Sequence, residues 1–226
     1  MGKITILPNT PKNPITLIGE RAGICWGADI ADQKKNFDRG LDCIESGHGR
    51  TLEFATIELK LEGYSARVMR EWYTHIAGGP TRLQASTRYI NYSIFEYITP
   101  PSIAKNEAAK SAYDSAMQYL SNIMQNLEEY GTPREDIAYL LPFGMETTVV
   151  DKRNLRSLID MSHNRMCKRA LWEYRELFAD LCKALTEYSG EWAYLVNTQF
   201  MPKCEVLGYC PEKHSCGRKP KKVDAK

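Results

Sequence analysis

YSARVMREWYTHIAGGPTRLQASTRY, residues 64–89, decides the fold, because it sets a helix signal, a glycine stop and an alternating segment side by side. Ser65 can cap a helix, and Val68, Trp72 and Tyr73 recur at helical spacing, which predicts a helix over 66–76 carrying Arg67, Arg70, Glu71 and His75. Gly78-Gly79-Pro80 stops it. Beyond the stop, Ser86, Arg88, Ile90 and Tyr92 alternate with Thr87, Tyr89 and Asn91, the pattern of a strand. Two readings of this stretch stand. Its guanidinium forks, hydroxyls and exposed amides suit a phosphate or nucleotide monophosphate, since arginine grips phosphate bidentately and glycine lets backbone N–H groups approach. It can equally be a surface turn with solvated arginines, because it matches no phosphate-loop motif.

Working outward, 3–7 and 15–18 are short β-branched runs set off by Pro8, Pro11 and Pro14, which predicts edge strands or strand-like entry segments. Phe37, Leu41 and Ile44 predict a helix from Asp32 to Ser46, closed by Gly47. Thr51 to Leu61 alternates as a half-buried strand, and Ile94 to Ile98 reads as another. Lys105 to Tyr130 is an amphipathic helix through Ala109, Tyr113, Met117, Leu120, Met124 and Leu127. A strand at 146–150 then leads into a long helical pattern over 154–188. The order predicts an α+β fold, a mixed or antiparallel sheet packed with long helices. The expected organisation is one catalytic domain over 1–201 and a Cys/Lys-rich tail over 202–226.

A chain of 226 residues with 43% hydrophobic and 26% charged residues can bury a substantial core. A net charge of +2 gives no electrostatic case for nucleic acid, and no apolar run is long enough to cross a bilayer or serve as a signal peptide. The expected setting is therefore cytoplasmic, with no nucleic-acid or membrane partner. Seven cysteines, four of them scattered among apolar residues, read as free thiols.

Two further clusters carry chemistry. On the long helical pattern Leu158, Arg165 and Trp172 stand seven apart, so an arginine shares a stripe with two apolar residues. Either its stem lies on the core while the head reaches water, or an anionic partner meets it. Asn154 and Arg156 add donors at the start of that pattern. In the tail, Cys204, Cys210, His214 and Cys216 are enough ligands for a structural tetrahedral zinc, against free thiols in a loose end.

The series SGHGRTLEFATIEL, REWYTHI, QASTRY and LPFGMETTVVDKRNLRSLIDMSHNRMCKRALWEYRE resembles the flavin-dependent thymidylate synthases in order and spacing over roughly residues 40–185. The resemblance implies a homotetramer whose active sites are each assembled from several subunits. It implies FAD as cofactor, deoxyuridine monophosphate (dUMP) as substrate, methylenetetrahydrofolate as one-carbon donor and NADPH as reductant, with no cysteine nucleophile. By position it implies that His48, Arg50, Glu53, His75, Asn154, Arg156 and Asp160 stand at the flavin. It puts Arg70, Glu71, Arg82, Gln84, Ala85, Ser86 and Arg88 at the nucleotide, with Arg165 at the pyrimidine and Ser86 and Arg165 as the catalytic pair. His75 has a plainer reading as a packed histidine among aromatics. The chain departs from the family's Arg-His-Arg signature, having Thr74-His75-Ile76 and a longer spacer, so Arg82 offers one replacement charge. Gln84, Asp160, Arg169 and Ala138 stand where the family usually has Glu, Asn, His and Arg.

Overall fold

The computed structural model describes residues 2–222, so the last four residues of the expected tail lie outside the described residues. In chain order the elements are β1 (Lys3–Ile6), α1 (Pro14–Gly23), α2 (Gln33–Glu45), β2 (Thr56–Ser65), α3 (Ala66–Trp72), β3 (Thr81–Gln84), α4 (Pro101–Ala104), α5 (Glu107–Glu129), α6 (Arg134–Ile137), β4 (Glu146–Asn154), α7 (Leu155–Arg165), α8 (Trp172–Tyr188), α9 (Gly190–Gln199) and α10 (Lys203–Leu207). The strands form one sheet in the order β1-β2-β4-β3. This is the expected α+β class, helices with an antiparallel sheet. Among the described residues no helix is long and apolar enough to cross a membrane.

Contacts divide the chain into two compact units. One is built from Leu61–Thr74 and Leu83–Val149 with the first residues of the chain, the other from Ile4–Lys60, His75–Arg82 and everything from Val150 onward. In the first unit α5 supplies Met117 and Met124 to a core completed by Phe95, Ile137 and Met145. Asn106 caps α5 by accepting from the Ala109 N–H at 3.0 Å. Ser65 caps α3 in the same way through the Val68 N–H at 3.1 Å.

In the second unit α1 packs on α2 at a helix crossing that only glycine permits. A Cβ on Gly19 would stand 1.7 Å from the Asn36 carbonyl oxygen, and one on Gly40 would stand 2.0 Å from that of Ile15. Backbone cannot yield as a flexible side chain can, so Gly40→Ala is expected to cost roughly 1–3 kcal/mol through overpacking. A urea melt checks this; an unchanged midpoint would show that the helices slide apart freely.

Several expectations are corrected. Residues 15–18 are helical, within α1, because Pro14 occupies the first turn and the Glu191 carboxylate caps it, accepting from Ile15 N–H at 2.6 Å and Thr16 N–H at 3.0 Å. A cap supplied from the far end of the chain has no local signature. The strand expected to start at Arg82 and alternate through Tyr92 is confined to β3, since Ser86 Oγ accepts from the Arg88 N–H and the Ser86 carbonyl from the Ile90 N–H, which closes a turn. Ile94–Ile98 reduces to a single bridge between Tyr97 and Met145. Thr51–Glu53 forms a 3₁₀ turn before β2. The long helix is two helices, α7 and α8, because Arg175 reaches back and donates to the carbonyls of Lys168 and Ala170 at 2.6 and 2.7 Å, satisfying the link between them. The stripe Leu158-Arg165-Trp172 therefore does not exist as a continuous face, and Arg165 is the last residue of α7. The tail carries α10 and a parallel bridge between Cys210 and Lys221, more order than its composition suggested.

Candidate functional site

The expected residues fall into two sets. In the second unit, Gly47 at φ +70° turns the chain out of α2, and His48, Arg50 and Thr51 follow it along the wall of a cavity of about 450 Å³. Trp26, 62% exposed, and Cys25 form another part of that wall. Glu53 pairs with Arg156 at 2.7 Å, and the Arg156 guanidinium lies against Gly49. Asn154 caps α7 through the Ser157 N–H at 2.8 Å. Its amide abuts Gly78, where a Cβ would stand 2.4 Å from the amide nitrogen and where φ is +77°, so glycine is required twice over. Asp160 is exposed on α7.

His75 and Arg165, 90 residues apart in sequence, meet directly. Arg165 Nε donates to His75 Nε2 at 2.9 Å, and the guanidinium lies 4.4 Å from the centre of the Tyr174 ring. Burial, then the charges of Arg165 and Arg153, lower the His75 pKa to about 4. The imidazole is thus neutral near pH 7 and can accept the hydrogen bond.

In the first unit, Arg70 and Glu71 on α3 line a cavity of about 150 Å³ with Arg67, Thr74 and Phe143, the Arg70 guanidinium 5.9 Å from the Phe143 ring. Ala85 N–H donates to the Thr148 carbonyl at 2.9 Å, and Gln84 donates to Thr147 Oγ1 at 3.2 Å, which fixes the start of the Ser86 turn. Arg88 is exposed and paired with Glu135 at 2.9 Å. Arg82, in the second unit, is half-buried.

The model of the thymidylate synthase complementing protein family matches residues 7–188. The chain belongs to this family. Its flavin-dependent thymidylate synthase relatives include that of Nitratidesulfovibrio vulgaris, 28% identical over 96% of this chain and 95% of the relative. That of Geobacter sulfurreducens is 28% identical over 96% and 94%. Among solved structures the chain is similar to thymidylate synthase X from Helicobacter pylori, crystallised with FAD and dUMP, at a TM-score of 0.69 and 19% identity, covering 88% of this chain and 99% of that one. At that identity the likeness speaks for the fold.

Two findings in this flavin-dependent thymidylate synthase homologue depart from the expectations. Cys204 and Cys210 are buried, Cys216 is exposed, and all are free thiols. Among the described residues no group of three or more His, Cys, Asp or Glu side chains could hold a metal ion, so the zinc shell is not assembled. Cys204 is buried on α10 and Cys210 in the bridge to Lys221, whereas His214 and Cys216 are exposed. The second finding is a fully buried pair, Asp151 with Arg153, bonded through Nε at 2.5 Å and Nη2 at 2.8 Å. Sequence reading ended this strand at 150; continuing the alternation of Thr147 and Val149 would have put both charges on the inward face.

The histidines predict a pH dependence. His75 and His163 both have lowered pKa values, each chiefly through burial. Folding stability is then complete above the ordinary histidine value of 6.5 and falls as pH drops from there toward 4, where the unfolded chain takes protons the folded one refuses. Denaturant midpoints across this range should decline, and His75→Gln should flatten the decline; an unaltered slope in that variant contradicts a neutral, half-buried His75.

Proposed function

We propose that the chain is a flavin-dependent thymidylate synthase that converts dUMP to dTMP by reductive methylation, with FAD as cofactor, methylenetetrahydrofolate as one-carbon donor and NADPH as reductant. The observation that supports this most is the family match over residues 7–188, which spans every residue of both sets.

The residues suit the groups assigned to them. A cavity of about 450 Å³ falls within the range of small-molecule sites, roughly 300–1,000 Å³, and its aromatic, imidazole and guanidinium walls suit a planar ring with attached phosphates. His48, Arg50, Glu53, Asn154, Arg156 and Asp160 would hold FAD there, Arg156 kept in place by Glu53. When bound and reduced, FAD supplies the hydride. Arg70, Glu71, Arg82, Gln84, Ala85, Ser86 and Arg88 would bind the nucleotide. Arg88 exchanges an exposed carboxylate, Glu135, for the phosphate dianion, an exchange that costs little because surface ion pairs contribute about 0–1 kcal/mol. Ser86, already anchored in its turn, offers a hydroxyl to the same nucleotide.

Arg165 would stabilise negative charge as it develops on a pyrimidine carbonyl. Neutral His75 and the Tyr174 ring fix the guanidinium before substrate arrives, so no reorganisation is needed during the reaction. The assembly proposed is a homotetramer whose subunits share active sites, in a cytoplasmic setting without nucleic-acid or membrane partners.

A second reading is a divergent paralogue acting on another pyrimidine nucleotide, or a flavin- and nucleotide-binding protein without synthase activity. Thr74 and Ile76, in place of two signature arginines, favour it. Tritium release from pyrimidine-labelled dUMP, in the presence of FAD, methylenetetrahydrofolate and NADPH, separates the two: release coupled to dTMP formation supports synthase activity, and flavin uptake without release supports the second reading.

A further inference from the structure

A cavity of about 270 Å³ lies between the end of α7, the link that follows it, α10 and the folded tail. Among the described residues its walls carry Arg165, Arg169, Lys203, Arg218 and Lys219 against one carboxylate, Glu212. Arg169 is offset by Glu212 at 3.5 Å, and Lys219 by Glu205 at 2.9 Å. Lys203 and Arg218 form no ion pair with a carboxylate among the described residues. Cations gathered around one partly enclosed space repel one another, and the field they focus is relieved by an anion.

We propose that this cavity is a binding site for a phosphate dianion, held by Lys203 and Arg218 and built by the C-terminal segment. Its size is below the ~300 Å³ at which ligand pockets begin, which fits inorganic phosphate or the phosphate end of a small ester and excludes a dinucleotide. Arginine and lysine together suit this group, the one as a planar fork and the other as a point charge. The site is separate from the Arg88 turn and holds whether or not the chain makes thymidylate; Arg165 is the residue it shares with the proposed chemistry.

Calorimetric titration of the full chain with inorganic phosphate in low-chloride buffer tests it. Saturable binding is expected in the millimolar range or tighter. The double variant Lys203→Ala/Arg218→Ala should weaken it at least tenfold, and Glu212→Gln should strengthen it several-fold, a gain that loss of structure cannot mimic. Lys183→Ala, exposed on α8, should leave phosphate binding as it is, and Arg88→Ala should remove only phosphate held at the nucleotide turn. A parallel titration with dUMP identifies the source: competition with phosphate that survives Arg88→Ala marks the site as one for a nucleotide's own phosphate, and absence of competition marks a free ion. No saturable phosphate binding, equal binding in the double variant, or loss only on Arg88→Ala would overturn the proposal.

Discussion

Arg165→Ala is expected to lower turnover by about 10²–10³-fold while FAD remains bound, the loss seen when one preorganised donor to a developing oxyanion is removed. The magnitude follows from how Arg165 is held. Its Nε is committed to His75 and one face of the guanidinium to Tyr174, so the side chain is fixed at the end of α7 before any ligand binds. The effect should appear in kcat more than in KM, since charge on the pyrimidine carbonyl exists only as the transition state forms. Arg165→Lys should recover little, because a flexible ammonium cannot keep the bond to His75 and the ring contact together. Steady-state kinetics with a flavin absorbance reading of each variant provides the check; unchanged kcat in the alanine variant would remove Arg165 from the mechanism.

The largest effect on stability is expected at Asp151. Both side chains of the Asp151–Arg153 pair are fully buried, and Arg153 also lies against the Met161 sulfur. Asp151→Ala would take from a buried guanidinium the carboxylate it meets through two hydrogen bonds, at a cost of about 3–5 kcal/mol. A large part of a typical domain's net stability, about 5–15 kcal/mol, would be lost. Removing both charges is a different experiment: Asp151→Leu/Arg153→Met should recover part of that loss, because a well-packed apolar pair avoids desolvating these two ions. Chemical denaturation of the three proteins decides it. If the single variant melts like the parent, water reaches Arg153.

Much of this was legible in the sequence because it depends on short-range rules. The Ser65 cap, the start of α2 after Asp32, the α5 stripe and the β2 alternation are set by near neighbours in the chain, and the structure keeps them. What failed depends on partners distant in the chain. Glu191 turns residues 15–18 into a helix, and Arg175 divides α7 from α8 by taking two carbonyls. The site divides in the same way. The QASTRY segment, though its turn was read as a strand, and the Gly47–Arg50 loop were visible as motifs, whereas the pairing of Glu53 with Arg156, across 103 residues, and of His75 with Arg165 has no local pattern. Trp26 was missed because an isolated tryptophan beside Ile24 and Cys25 signals core more often than a cavity wall.

The most direct measurement of the central claim is the visible absorbance spectrum of the purified full-length protein, reconstituted with FAD and titrated with dUMP. The account predicts stoichiometric flavin that stays bound through gel filtration, and flavin bands that shift on dUMP addition in the parent but less in Arg88→Ala. A colourless protein that retains no FAD, or a flavin spectrum indifferent to dUMP, would contradict it.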